Sequence, residues 1–345
     1  MKEYDIRRLK RVRLMGRDDR EAPGFRMLYS GSCAEMRIKG RRLDIEIEAE
    51  YDAFRHYISF VVDGLAAQTF SPIPGTHTYT VFMNMDPDKV HEVLIIKETM
   101  DFRDKSFVSL KKVITDGKFM PLKKKTMRVE FIGDSITAGE GLRGPKSFSE
   151  WLPMAFGSLE DYSRVTAEKL HALYQNVAIS GWGIHNAWNN NCAENIPSVY
   201  DDISYSVGKP YDFSFDPDAV VIALGTNDNG SLHQKPFTDE NGGTFKLEDN
   251  AEGFDIIHDS ALSFIRHLRE VNPRARLLWI MFHDKGMVHD AVEKAVSEAA
   301  DEGIDIRFDV PILLDHMPRG GMGSRLHPGP VAHRAVADRV AKLLK

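Results

Sequence analysis

Residues 219–225 read AVVIALG, an unbroken apolar run that stops at a glycine. Such a run, with no polar alternation, is a strand buried on both faces, the arrangement found when helices cover both sides of a parallel sheet. Neighbouring segments supply the rest of that layer. MRVEFIGD (127–134), NVAISG (176–181), RLLWIMF (276–282) and IDIRFDV (304–310) have strand character. Helical spacing separates them in LEDYSRVTAEKLHALY (159–174), in FDIIHDSALSFIRHLREV (254–271), at 287–301 and in VAHRAVADRVAKLLK (331–345). Strands alternating with helices predict a three-layer α/β/α domain. Five strands fit a flavodoxin-like order, although the alternation alone does not give the order.

The first third has a different period. LDIEIEAEY (43–51) alternates Leu43, Ile45, Ile47, Ala49 and Tyr51 with acidic residues, the pattern of a half-buried strand. YISFVVDG (57–64) is a second strand, closed by the hairpin signal Asp63-Gly64. THTYTVFMN (76–84), HEVLIIKE (91–98) and SFVSLKKVITDG (106–117) continue the series. Several short strands with turns between them predict a β-sandwich or jelly roll. A polar, basic stretch, KFMPLKKKT (118–126), is expected to be a solvated junction. The chain of 345 residues exceeds the roughly 250–300 that one core usually serves. The expected division is 1–120 for the β-domain and 121–345 for the α/β domain.

Charge and composition narrow the partners. Lys and Arg number 45 against 51 Asp and Glu, a net charge of −6, which disfavours nucleic acid. No apolar run reaches the roughly 18 residues of a membrane span. Two cysteines, Cys33 and Cys192, exclude a disulfide framework and are expected to be inert packing residues. The histidines carry no HExxH or paired-carboxylate motif, so no metal or other cofactor is expected. The start, MKEYDIRRLKRVRLMGRDD, has no apolar stretch or small-residue cleavage site. If it is the natural start, the expectation is a cytoplasmic protein. The oligomeric state is not legible.

Functional residues in such sheets gather where the carboxyl ends of strands enter loops. Here those ends read FIGDSITAGEG, ISGWG and ALGTNDN, and RLHPGPVAH precedes the last helix. Alone, Ser135 reads as a helix N-cap. Together with the other ends it reads as a nucleophile. The N–H of Ser135, the N–H of Gly181 and the side-chain amide of Asn227 could surround one oxyanion. His327 could take the serine proton.

FIGDSITAGEG resembles the first block of the GDSL, or SGNH, hydrolases, whose four named residues correspond to Ser135, Gly181, Asn227 and His327. GTND (225–228) and Leu326-His327-Pro328 are similar to later blocks of that family. A β-sandwich ahead of such a domain resembles carbohydrate esterase family 2, in which a jelly roll precedes a domain that removes O-acetyl groups from sugars of plant polysaccharides. The resemblance implies a serine esterase acting on xylan- or mannan-type acetyl esters through an acetyl-enzyme.

One position departs from the family pattern: Ser324 stands where an Asp usually precedes the histidine by three. Three outcomes stay open. His327 acts in a dyad oriented by a backbone carbonyl, as in some members of the family; Asp315 or Asp309 reaches it; or the protein is a weak or dead enzyme. The dyad is the favoured expectation.

Trp182, Trp188 and Asp134 are the candidate substrate-binding residues, with Trp151 a further aromatic candidate. Asp134 and Asp228 are also expected to hold their loops through backbone hydrogen bonds. The alternative functions are a GDSL esterase or lipase for other acyl esters, and a catalytically weak carbohydrate-binding protein. The first domain is expected to shape a wall of the active site, because no aromatic platform stands out in residues 1–118.

Overall fold

The computed structural model describes residues 1–102, 105–317 and 319–345. The β-domain consists of two antiparallel sheets. One runs in the order Lys2–Asp5, Phe107–Thr115, Leu43–Glu50, Gly75–Phe82; the other runs Lys118–Met120, Cys33–Lys39, His91–Lys97, Ile58–Val62, Leu65–Phe70. The alternation at 43–49 explains the packing: Leu43, Ile45, Ile47 and Ala49 all point inward and are buried. They meet Phe60, Val62, Val93 and Ile95 from the second sheet in one core. Asp63 and Gly64 both take left-handed backbone in the hairpin they close.

Residues 118–126 are only partly a solvated junction. Lys118–Met120 adds a strand to Cys33–Lys39, and the following lysines are tied down, Lys125 to Glu35 and Lys123 to Glu92, each at 2.8 Å. The backbone then enters the strand Met127–Gly133.

The second sheet system is parallel throughout, in the order Ala172–Ala178, Met127–Gly133, Ala219–Ala223, Arg276–Ile280, Ile306–Asp309. Counted along the chain this is 2-1-3-4-5, the flavodoxin order. Val220 and Ile222 face a cluster with the helices Ala251–Val271 and Met287–Asp301. Val221 and Ala223 face the opposite cluster, with the helices Tyr162–Lys169 and Pro330–Leu343. Burial on both faces explains the unbroken apolar run.

The spacing of 159–174 predicts one continuous helix, and the structure corrects this. The helix covers Tyr162–Lys169 only; His171 turns into left-handed backbone (φ +50°), and Ala172–Ala178 is the edge strand. That strand is one place where the two domains meet. Tyr174 Oη donates to Gly31 O at 2.7 Å and Asn176 Nδ2 to Ser30 O at 3.1 Å. Beside it, Arg17 of the β-domain pairs with Glu130 at 3.2 Å, both side chains almost completely buried. Met15, Cys33, Leu94 and Ile96 from the sandwich join the same hydrophobic cluster as Phe131 and Tyr162.

Candidate active site

Gly133 is in register with Ala178 on one neighbour and Ala223 on the other, so three strands end at one level. From the central strand the chain turns at once into the four-residue helix Ser135–Ala138. Asp134 caps it, Oδ1 accepting the Ile136 N–H at 2.9 Å. A Cβ on Gly133 would stand 2.1 Å from Thr137 Oγ1, so the turn closes this tightly only around a glycine. Ser135 sits at its start, nearly buried.

Asn227 ties the neighbouring strand ends to this turn. Its Nδ2 donates to Trp182 O at 2.9 Å and to Asp134 Oδ2 at 3.3 Å, the residues adjoining Gly181 and Ser135. Gly181 has left-handed backbone, φ +85°. Asp228 holds the loop beyond it. Its carboxylate accepts N–H bonds from Ile184 at 2.8 Å and His185 at 2.9 Å. Both carboxyl groups are fully buried. Burial pushes Asp134 up to about 7, opposed by the Ile136 N–H and reinforced by the nearby charges of Asp228 and Glu140. Burial also raises Asp228, against the pull of its backbone donors.

The His327 loop is stitched to the loop that leaves the Ser135 turn. Ser324 N–H donates to Gly141 O at 2.8 Å, and the Ser324 hydroxyl donates to the same oxygen at 3.3 Å. Gly323 N–H donates to His327 O at 2.8 Å. His327 Nδ1 shares a hydrogen with the backbone carbonyl of Arg325 at 2.8 Å. This carbonyl occupies the place an orienting acid would take. Of the two carboxylates considered as alternatives, Asp309 is held by Arg339, with its nearest contact at 2.6 Å, and Asp315 is exposed on a short turn. Arg325 and Leu326 both adopt left-handed φ, +52° and +61°. A neighbour that sequence reasoning missed is Glu140. Its side chain is 5% exposed and ion-paired with Arg325, and its Oε2 lies 4.0 Å from His327 Nε2.

With this geometry in place, similarity to known proteins is informative. The profile of the GDSL-like Lipase/Acylhydrolase family matches residues 131–335, and that of the carbohydrate esterase 2 N-terminal domain matches 14–121. The chain belongs to the GDSL-like lipase/acylhydrolase family. It carries the carbohydrate esterase 2 N-terminal domain ahead of the family's own domain. Over 219 residues, 62% of the chain, it is 30% identical to the cellulase/esterase CelE of Acetivibrio thermocellus, but it spans only 26% of that protein. It is 27% identical to an acetylxylan esterase / glucomannan deacetylase of Cellvibrio japonicus, covering 78% of this chain and 72% of the relative. An acetyl xylan esterase from the rumen bacterium Butyrivibrio proteoclasticus superposes with a TM-score of 0.92 at 26% identity, covering 100% of this chain and 98% of that one.

On this GDSL-type scaffold the substrate-facing candidates separate. Trp188 is 52% exposed and lies against Gly181. Trp182 is 5% exposed, and its ring packs edge-on to Tyr205, with centroids 4.8 Å apart. Only its carbonyl, bonded to Asn227, faces the turn. Asp134 is completely buried, and its carboxyl group accepts from the Ile136 N–H and from Asn227 Nδ2. Of the three candidates expected to bind substrate, Trp182 and Asp134 are buried and Trp188 is exposed.

Trp151 is half-buried and joins an aromatic group with Phe54 (4.9 Å) and Phe102 (6.1 Å) of the β-domain. The β-domain thus reaches the loops around the candidate site. Met100 Sδ accepts the Ser180 N–H at 3.3 Å, and Glu98 Oε2 accepts the N–H groups of Ser158 and Leu159 at 2.5 and 3.2 Å. Among the described residues, no three His, Cys, Asp or Glu side chains gather as a metal site would require. His333 packs inside, its Nδ1 accepting the Tyr162 N–H at 3.1 Å. Burial pushes the thiols of Cys33 and Cys192 up, to about 12 and about 11, which makes both poor nucleophiles.

Proposed function

We propose that this protein is a serine esterase that removes O-acetyl groups from acetylated sugars or oligosaccharides of plant polysaccharides, of xylan or mannan type. The observation that carries the reading is His327 Nδ1 bonded to the Arg325 carbonyl, on a loop stitched to the one that follows Ser135. That bond leaves Nε2 as the free nitrogen for proton transfer. The printed names of the acetylxylan and glucomannan esterases among its relatives supply the substrate class.

Ser135 Oγ attacks the acetyl carbonyl and its proton passes to His327 Nε2. The negative charge that develops rests on the N–H groups of Ser135 and Gly181 and on Asn227 Nδ2. Asn227 keeps its bond to the Trp182 carbonyl, and the oxyanion takes over the hydrogen now shared, at the longer 3.3 Å, with Asp134. His327 then protonates the departing sugar oxygen, and water repeats the sequence on the acetyl-enzyme. The exposed Trp188 ring beside Gly181 offers a flat apolar face for a sugar ring.

The test is acetate release from acetylated xylan and glucomannan fragments, wild type against Ser135→Ala. The expected result is release by the wild type and none above background by the variant. Equal rates overturn the assignment of Ser135. Activity confined to long-chain acyl esters overturns the sugar substrate.

A further inference from the structure

His327 lacks a carboxylate at the nitrogen that points away from the reaction. A backbone carbonyl orients the ring, but it carries only a partial charge and offers less stabilisation to an imidazolium than an anion does. The geometry around the opposite nitrogen shows a carboxylate in a different place. Glu140, five residues after the nucleophile, is buried, and its Oε2 stands 4.0 Å from His327 Nε2. This is beyond hydrogen-bond reach and leaves Nε2 free for a proton from Ser135. It is close enough for a charge in a poorly hydrated setting to act on the ring.

Arg325 fixes that carboxylate. Its guanidinium pairs with Glu140 Oε1 while its own carbonyl accepts from His327 Nδ1. One residue therefore touches both ends of the device: its backbone sets the ring and its side chain sets the anion beside the ring. The turn that permits this is strained, with left-handed backbone at Arg325 and again at Leu326. Leu326 is 78% exposed and gains nothing from burial there, so the strain is held by the contacts on either side of it. Those contacts are the ion pair, the His327 hydrogen bond and the Ser324–Gly141 stitch.

We propose that Glu140 is a positioning residue: clamped by Arg325, its carboxylate stabilises the imidazolium formed when His327 takes the Ser135 proton, doing from the Nε2 side what an Asp at position 324 would do from the Nδ1 side. The inference rests on the Ser135–His327 reading given above. No atoms are transferred to Glu140; the proton travels from Ser135 Oγ to His327 Nε2 and on to the leaving oxygen.

The test is steady-state hydrolysis of a short aryl acetate and of acetylated oligosaccharide by Glu140→Gln, Arg325→Met, the double variant and Arg325→Lys, with thermal unfolding measured alongside. Glu140→Gln keeps the shape and an acceptor oxygen but removes the charge. It is expected to lower kcat about ten-fold or more with KM within about two-fold, the signature of an interaction made in the transition state. Arg325→Met, which leaves the carbonyl in place, should lose a similar factor. The double variant should lose no more than the worse single, because both act through one carboxylate. Arg325→Lys should recover part of the loss. A Glu140→Gln enzyme with wild-type kcat overturns the proposal, as do additive losses in the double variant. Ser135→Ala separates the two readings: if it is inactive while Glu140→Gln is unaffected, the esterase stands and this inference alone fails.

Discussion

Trp188 leans on Gly181: its backbone N–H donates to the Gly181 carbonyl at 2.9 Å, and its ring Cδ1 lies 3.0 Å from where a Gly181 Cβ would stand. The exposed ring and the proposed oxyanion donor are thus parts of one turn, and Gly181 is held at φ +85° within it.

A methyl group at 181 meets both constraints at once. It would strain left-handed backbone and push against the Trp188 ring. Gly181→Ala is expected to lower kcat on the order of 10²-fold, the scale of a lost oxyanion donor. Steady-state kinetics on an aryl acetate checks this; a variant within two-fold of wild type would show that the Gly181 N–H takes no part.

Restoring the family's acid should fail. Ser324 is packed between Gly141 and Gly144: its hydroxyl donates to Gly141 O, and its Oγ lies 2.5 Å from where a Gly144 Cβ would be. An Asp there loses the hydroxyl that donates to Gly141 O and sets a carboxylate against that carbonyl oxygen. The expected outcome for Ser324→Asp is a stability loss of about 1–3 kcal/mol and a lower kcat. Denaturant unfolding and kinetics measure the two, and a gain in kcat would refute the account of the loop.

Asp134 links the site to pH. Its carboxyl, pushed up to about 7 by burial, still holds a proton in the folded protein at pH values where the unfolded chain, at the ordinary 3.8, has lost it. Its contribution to stability is therefore full below about 4 and declines as pH rises through about 7. The total is on the order of a few kcal/mol. Asp134→Asn keeps an acceptor for the Ile136 N–H and removes the titration. Unfolding free energies of wild type and variant between pH 4 and 8 should draw apart along that curve. Parallel curves would show that Asp134 does not titrate in this range.

What could be read from the sequence was what repeats or sits beside its own strand. Alternation at 43–49 and the unbroken run at 219–223 each report burial directly, so both domain architectures were legible. Ser135, Gly181 and Asn227 each follow a strand end, and the structure gathers those ends because the strands are neighbours in register. The edge strand Ala172–Ala178 was misread because its first residues continue the helical spacing of the preceding segment; the break at His171 is a backbone event without a Gly or Pro to mark it. Trp182 and Trp188 look alike in sequence, and only the packing around Tyr205 buries one of them. Glu140 gave no signal because its partner, Arg325, stands 185 positions away.

The buried pair of Arg17 and Glu130 bears on how such a protein can be inherited. Removing the partner of a buried charge typically costs about 3–5 kcal/mol. A gene cut at the seam near residue 121 would leave Glu130 without its guanidinium, take Gly31 O from Tyr174 and Ser30 O from Asn176, and take the Glu98 carboxylate from the Ser158 N–H. The two halves are therefore not interchangeable cassettes. A lineage that trades one of them for a foreign copy must re-invent the seam, so recombination is expected to carry both together.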